Sequence, residues 1–136
     1  MKANLAAALT SALIALCVSQ SVAAHCLEYG TNSLSGTLVR QTYPGPPDYE
    51  SVTSGDKPLV IWVLVLEYYI CVADPTNRLP KERYEREIQL VLEEAQYERY
   101  GDLLGKRVTV TGNLQHGYAD FKRLLIVPRE IARTGV

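Results

Sequence analysis

The feature that most limits what this chain can fold into is its N-terminal segment, residues 1–24, which has the pattern of a leader that is removed. Lys2 supplies a positive charge, and residues 5–18 form an almost unbroken apolar run. The small residues Val22-Ala23-Ala24 then precede His25, as signal peptidase requires. This pattern predicts a secretory signal peptide, and the apolar run is too short to be a membrane-spanning helix.

The signal peptide fixes the compartment and the domain boundaries that we expect. Cleavage after Ala23 or Ala24 would release a soluble periplasmic or secreted protein. Its remaining length suits one domain with a modest hydrophobic core, which we assign to residues 25–131. Residues 132–136 are predicted to be a flexible tail.

Cleavage also changes what the cysteines mean. Cys17 is lost with the leader, so two cysteines remain, Cys26 and Cys71. In an oxidising compartment two cysteines in a small domain most often form a disulfide. We therefore predict a Cys26–Cys71 bond.

The charge balance argues against a nucleic-acid partner. The whole chain has a formal net charge of −1, and loss of Lys2 makes it −2. Proteins that bind a phosphate backbone usually have a strongly basic balance. We expect no nucleic-acid partner and no membrane insertion after cleavage.

Alternating and apolar segments predict five strands and one short helix. The predicted strands are residues 33–41, 59–71, 86–92, 107–115 and 121–128, and the helix is residues 93–104. Gly105 is expected to end the helix in a left-handed conformation, and Gly112 to mark a bulge or bend within its strand.

This order predicts the fold class. A helix between the third and fourth of five strands is the order of an OB-fold. We therefore predict a mainly β protein, a small five-stranded OB-like partly open barrel with one short helix between strands 3 and 4. Helix propensity in residues 81–100 supports an alternative, an α+β fold with a longer helix there.

Several motifs resemble a family of small exported bacterial proteins known as domain of unknown function 4431. They are Cys26-Leu27-Glu28-Tyr29-Gly30, Leu34-Ser35-Gly36-Thr37-Leu38, Tyr43-Pro44-Gly45-Pro46-Pro47-Asp48-Tyr49-Glu50-Ser51, Gly55-Asp56, Ile70-Cys71-Val72, Gln89-Leu90-Val91-Leu92 and Leu103-Leu104-Gly105-Lys106-Arg107-Val108-Thr109-Val110-Thr111-Gly112. The resemblance covers nearly the whole predicted domain and brings no activity to transfer. Family members tend to have several histidines after the last motif, where this chain has only His116.

The sequence gives little support for catalysis or for a cofactor. It contains no zinc-binding His-Glu-x-x-His motif, no Gly-x-Ser-x-Gly elbow and no phosphate-binding glycine loop. One metal hypothesis stays open: after cleavage, the α-amine and imidazole of His25 could chelate copper together with His116. We otherwise expect no cofactor and no metal.

Binding is the function that the pattern favours. OB barrels bind ligands on the face of strands 2 and 3 and on the loops joining strands 1–2 and 4–5. Here these loops are residues 43–57, which contain three closely spaced prolines, and residues 115–120. The candidate contact residues on these elements are Tyr43, Tyr49, Glu50, Asp56, Trp62, His116 and Tyr118.

Two functions follow from this interpretation. The first is an exported periplasmic binding module that contacts a protein or envelope component through the two loops. The second is a periplasmic inhibitor or immunity-type protein that blocks an enzyme with its proline-rich loop, which a stiff loop favours because little entropy is lost on docking. Copper binding through His25 and His116 is the third alternative.

Overall fold

A computed structural model describes residues 25–118 and 121–135. The predicted signal peptide lies outside the described residues. The strands, in chain order, are β1 (Leu27–Glu28), β2 (Gly30–Pro44), β3 (Pro58–Ala73), β4 (Glu82–Leu90), β5 (Arg107–His116) and β6 (Leu124–Arg133). Helix α1 (Glu94–Tyr100) lies between β4 and β5, and 3-10 turns occupy Val52–Ser54 and Gly101–Leu103. Within the described residues, no helix is long and apolar enough to cross a membrane.

Five strands pair in a ring. β2 is antiparallel to both β3 and β5, β6 is antiparallel to β5, and β4 is parallel to β6. An antiparallel pairing of β3 with β4 completes the ring, while β1 is added to β3 outside it. This arrangement confirms the predicted OB-like partly open barrel with a helix between the third and fourth ring strands.

The alternative α+β fold with a helix over residues 81–100 is wrong, because β4 occupies residues 82–90 and the helix covers only Glu94–Tyr100 of that segment. Ile88 and Leu90 alternate into the barrel, where they are 0% and 2% exposed. Burying these two side chains between β3 and β6 outweighs the helix propensity of the surrounding Glu and Arg residues.

The predicted boundaries move at several elements. β2 and β4 begin earlier than predicted, α1 ends at Tyr100 rather than at residue 104, and β6 begins three residues late. β6 also extends to Arg133, so Ala132 and Arg133 of the predicted tail pair with β5. The two-residue strand β1 was not predicted, since so short a strand has no periodicity to detect.

The cysteine bond confirms the predicted pairing. Cys26 and Cys71 are joined, with their Cα atoms 4.7 Å apart. Immediately after Cys26, β1 runs parallel to the end of β3, with Leu27 opposite Val72. The disulfide therefore attaches the start of the described chain to the far end of the longest strand.

The barrel interior is aliphatic. Its most buried members come from every ring strand and include Leu38, Leu64, Ile88, Leu114 and Ile126. A capping box between Glu93 and Gln96 begins α1, and Tyr97 of that helix makes an edge-on contact with Trp62 at a ring distance of 5.2 Å. The helix therefore covers the barrel where Trp62 lies.

Two of the predicted glycine roles are confirmed. Gly105 has a φ of 76°, a left-handed conformation, and it follows the 3-10 turn that continues α1. Gly112 lies at a register shift between β5 and β6, where a Cβ atom would overlap the Val127 carbonyl oxygen. The extra residue of this bulge is Arg129 on β6, and the missing Cβ of Gly112 lets the two strands approach closely beside it.

Candidate binding surface

The pairing between β3 and β4 breaks where β3 changes from aliphatic residues to tyrosines. Val65 lies opposite Glu87, but the register shifts before Ile70 meets Glu85 and again before Val72 meets Glu82. Within this irregular stretch Tyr68 and Tyr69 are 78% and 64% exposed. The register shift therefore exposes side chains near the end of a strand that is otherwise apolar.

A third tyrosine lies on the facing part of β4. Tyr84 is 81% exposed, and its φ of 56° places it in the left-handed region. Bulky residues seldom adopt this conformation, and it persists only where the surrounding structure imposes it. The same local irregularity therefore exposes tyrosines on both strands.

An open groove of about 420 Å³ runs along this part of β3 and β4. Its lining residues are Val65, Tyr69, Tyr84, Glu85, Arg86, Glu87 and Lys122. The Arg86 guanidinium lies 5.7 Å from the centre of the Tyr69 ring, within cation–π range, and its Nε donates to the Leu66 carbonyl at 2.6 Å. Arg86 thus holds the bulge and orients one of the exposed rings.

At the other end of the groove, a polar chain joins β2, β4 and the segment just before β6. The Lys122 ammonium donates to Glu87 at 2.6 Å, and Gln41 donates to the same carboxylate at 2.7 Å. The hydrogen bond from Lys122 holds the pKa of Glu87 below its usual range. Burial opposes the charged form of Lys122, but its bond to Glu87 keeps its pKa above the usual range. Lys122 is therefore a fixed, charged group at this end.

The two predicted contact loops meet beside Lys122. Tyr43, at the start of the first loop, stacks on Phe121 with ring centres 4.4 Å apart and nearly parallel planes. Phe121 follows the second loop and is 41% exposed, and the Lys122 nitrogen lies 5.8 Å from the centre of the Tyr43 ring. The bases of both loops therefore border the end of the β3–β4 groove.

Asp56 organises the first loop from within. Its side chain accepts hydrogen bonds from the backbone N–H groups of Asp48, Glu50 and Ser51 at 2.8–3.0 Å. These backbone bonds lower the pKa of the Asp56 carboxyl. With the residue 5% exposed, the carboxylate faces its own loop. Its role is structural, and the loop presents Tyr49, which is 61% exposed, and Glu50 instead.

His116, at the start of the second loop, turns inward. Its Nδ1 lies 3.4 Å from an oxygen of Glu82 without the alignment of a hydrogen bond. Glu82 is only 6% exposed, and an Arg123 guanidinium nitrogen lies 3.5 Å from its second oxygen. Burial, and then the charge of Glu82, raise the pKa of the neighbouring Tyr29. The Tyr118 ring makes an edge-on contact with His116, yet Tyr118 itself is 78% exposed.

The structure thus divides the residues proposed from sequence. Tyr43, Tyr49, Glu50 and Tyr118 lie at the surface or partly so. Trp62 is 5% exposed in the barrel core, so its indole is not available to a ligand at the surface.

The sequence interpretation missed Tyr68, Tyr69, Tyr84 and Arg86. The one local signal for the first two was the change from Val and Leu to Glu67-Tyr68-Tyr69 within the apolar run.

The copper hypothesis stays a prediction. His25 is exposed and lines a groove beside the disulfide, while His116 contacts Glu82 and Tyr118. Among residues 25–118 and 121–135, no group of three or more His, Cys, Asp or Glu side chains is placed to hold a metal ion.

Comparison with known proteins gives one family match. No curated protein matches the chain, and no solved structure matches it. Residues 87–120, from the end of β4 through α1 and β5, match the family described as Domain of unknown function (DUF4431). This segment contains two of the motifs on which the resemblance was based, and the match supports a similarity to the domain of unknown function 4431 over these residues.

Proposed function

We propose that this protein is an exported, non-catalytic binding module that contacts a protein or envelope component with the β3–β4 surface and its two flanking loops. The contact surface, here named the aromatic face, consists of Tyr43, Tyr69, Tyr84, Arg86, Phe121 and Lys122. The observation that carries the proposal is the exposure of Tyr69 and Tyr84 beside Arg86 in an open groove.

The chemistry of the aromatic face suits recognition. Large exposed aromatic side chains that cluster on a small domain often mark an interaction site. Tyrosine and arginine are the residues that most often dominate binding energy at protein interfaces. Arg86 and Lys122 are each fixed by a hydrogen bond of 2.6 Å, so ordering them on binding would cost little entropy.

The location also fits the architecture. In OB barrels the second and third ring strands and the loops beside them form the usual ligand surface, and here these strands are β3 and β4. The Cys26–Cys71 bond supports an oxidising compartment outside the cytoplasm, in keeping with the predicted signal peptide. A periplasmic location is part of the proposal.

The test is comparative capture from an envelope extract, with the purified protein immobilised. We expect a partner that wild type retains to be lost with Tyr69→Ala/Tyr84→Ala. Tyr68→Ala is the matched control, because Tyr68 is equally exposed but lines a different groove, together with Ser33 and Ser35. Circular dichroism and thermal unfolding would verify that all three proteins are folded.

Equal retention by wild type and the double variant would contradict the proposal. Loss with Tyr68→Ala as well would show that any exposed tyrosine contributes, and would remove the assignment to the aromatic face.

The order of the first loop favours the inhibitor hypothesis as a second candidate. Asp56 fixes the loop while Tyr49 and Glu50 project from it, so the loop could enter a cleft with little loss of entropy. In this case Tyr49→Ala/Glu50→Ala would abolish capture, and Tyr69→Ala/Tyr84→Ala would leave it unchanged.

A further inference from the structure

A second groove adjoins the aromatic face on the disulfide side of Tyr69 and Tyr84. Its volume is about 500 Å³, and it forms where β1, the end of β3 and the start of β4 come together. The lining residues are His25, Cys26, Leu27, Tyr69, Ile70, Cys71, Lys81, Arg83 and Tyr84. The half-buried members, Leu27, Ile70 and the disulfide, form an apolar floor, and the exposed tyrosines and basic residues form the rim.

The rim carries uncompensated positive charge. Lys81 and Arg83 are both exposed, and none of the described residues that line the groove is an Asp or a Glu. Neither residue takes part in any of the ion pairs formed among residues 25–118 and 121–135. An anionic group that docks here would therefore gain attraction without first displacing a carboxylate of this protein.

The floor selects among anionic ligands. A sugar needs many side chains that both donate and accept to satisfy its hydroxyl groups, and among the described lining residues only the Tyr69 and Tyr84 hydroxyls and the His25 imidazole are groups of this kind. Two basic side chains would add only about 2 kcal/mol of attraction to an anionic lipid surface. A concave apolar floor with a cationic rim instead suits one projecting apolar side chain with a carboxylate beside it.

We propose that this groove binds an acidic segment of a partner protein. An aliphatic or aromatic side chain of that segment packs on Leu27, Ile70 and the disulfide, and a neighbouring Asp or Glu pairs with Lys81 and Arg83. The inference rests on the proposed binding function and names the chemistry of its partner, since Tyr69 and Tyr84 line this groove as well as the aromatic face.

The test is selection of a phage-displayed library of random short peptides on the oxidised protein. We expect the selected peptides to be rich in Asp and Glu next to a large apolar residue. Their affinity should fall at least about tenfold with Lys81→Glu/Arg83→Glu and should weaken as salt is raised.

The matched control is Lys106→Glu/Arg129→Glu, which makes the same change in net charge. Both residues are exposed and neither lines this groove. Unchanged affinity in this control would show that the loss with the first variant is local to the groove. Circular dichroism of both double variants would verify that they are folded.

Each other outcome overturns the inference. Selected peptides without acidic residues, or affinity unchanged by Lys81→Glu/Arg83→Glu, would show that the cationic rim does not select the ligand. Failure to enrich any peptide would do the same. Binding to phosphatidylglycerol vesicles or to a sulfated polysaccharide in place of peptides would assign the groove to a lipid surface or to a polyanion.

The inference and the proposed function can fail separately. If capture of the envelope partner is lost with Tyr69→Ala/Tyr84→Ala but kept with Lys81→Glu/Arg83→Glu, the aromatic face is supported and the acidic segment is not. If acidic peptides are selected but capture of the envelope partner is unchanged by Tyr69→Ala/Tyr84→Ala, the acidic segment is supported and the aromatic face is not.

Discussion

The first half of β3 is wholly apolar, whereas the second half begins with Glu67-Tyr68-Tyr69, and the two halves have different surroundings. Residues 58–66 pair with β2 in regular register, residues 62–65 also pair with β4, and Trp62, Val63 and Leu64 are at most 5% exposed. Residues 67–73 extend past the last pairing with β2, and the register with β4 shifts twice. Tyr68 and Tyr69 lie in this second half and are largely exposed.

Different forces hold the two halves. The first half is held by packing on both of its faces and by two ladders of hydrogen bonds. The second half is held by the Cys26–Cys71 bond, by pairing with the short strand β1 and by irregular pairing with β4, and Arg86 bonds to Leu66 where the two halves meet. Where the pairing with β2 ends and the register with β4 shifts, β3 exposes Tyr68 and Tyr69, and Val72 beyond them is buried in the core again.

Removing the disulfide should have the largest effect, because it is the covalent support of the second half. The bond closes a loop of 45 residues, so Cys26→Ser/Cys71→Ser should lower the free energy of unfolding by about 4 kcal/mol on the chain-entropy argument. Denaturant unfolding measures this, and wild type under reducing conditions should match the variant. A loss below about 1 kcal/mol would mean that β1 and Arg86 suffice to hold the second half.

Truncating a core side chain of the first half should have the next largest effect. Leu64 is fully buried, so Leu64→Ala should cost about 3 kcal/mol through lost burial and the cavity left behind. Tyr68→Ala, in the second half, should change stability by no more than about 0.5 kcal/mol. The contrast between the two halves would disappear if these variants unfolded at the same denaturant concentration.

The junction of the two halves can be tested at Gly36, which pairs with Leu66. A Cβ atom here would overlap the Val65 carbonyl oxygen, so Gly36→Ala should destabilise by about 2 kcal/mol. Gly101→Ala is the control, because Gly101 is helical with open space around it. A gain of about 0.5 kcal/mol is expected there. Equal stability of Gly36→Ala and wild type would show that β2 and β3 can separate at this point without cost.

The smallest effect on global stability should come from the loop that leads into the first half. Backbone hydrogen bonds lower the pKa of Asp56, so the order that its carboxylate gives the loop is present above the ordinary Asp pKa of 3.8. That order should be lost as the pH falls through the lower pKa of the folded state. Limited proteolysis with an acid-active protease should show cleavage of the loop appearing in this range, while the barrel stays folded.

Asp56→Asn should make the loop susceptible to proteolytic cleavage already at neutral pH. The reason is that a neutral amide is a poor acceptor for the three backbone N–H donors. Asp48→Asn is the control, since only its backbone takes part in this network. Collapse of the whole barrel with Asp56→Asn would show that the first half depends on its loop as well as on packing.

Sequence reasoning reached the parts of the fold that local patterns encode. Alternation in β5, the bulge at Gly112, the left-handed Gly105 and the pairing of the two cysteines each leave a signature in neighbouring residues or in residue counts. The strand order then pointed to one architecture even though propensity in β4 favoured a helix.

The candidate site was only partly predictable, because its decisive contacts are long-range. The residues next to Tyr84 in the sequence do not predict the register shift that exposes it. Those next to Trp62 do not predict that Tyr97 covers it. In the sequence Asp56 resembles a carboxylate that faces a ligand, but its oxygens accept hydrogen bonds from three backbone N–H groups of its own loop. The approach of His116 to Glu82 joins residues on β5 and β4 that are distant in the chain.

The pairing of the strands in a partly open ring determines where two molecules of this protein could associate at high concentration. Neighbouring molecules of a β-protein can join their sheets through unpaired strand edges. Here β4 pairs with β3 on one side and with β6 on the other, and the two-residue strand β1 lies at the outer edge of the sheet. In the described part of the chain, however, residues 127–133 of β6 extend beyond the pairing with β4 and have only β5 beside them, so a second molecule that continues the sheet at high concentration should add at this edge.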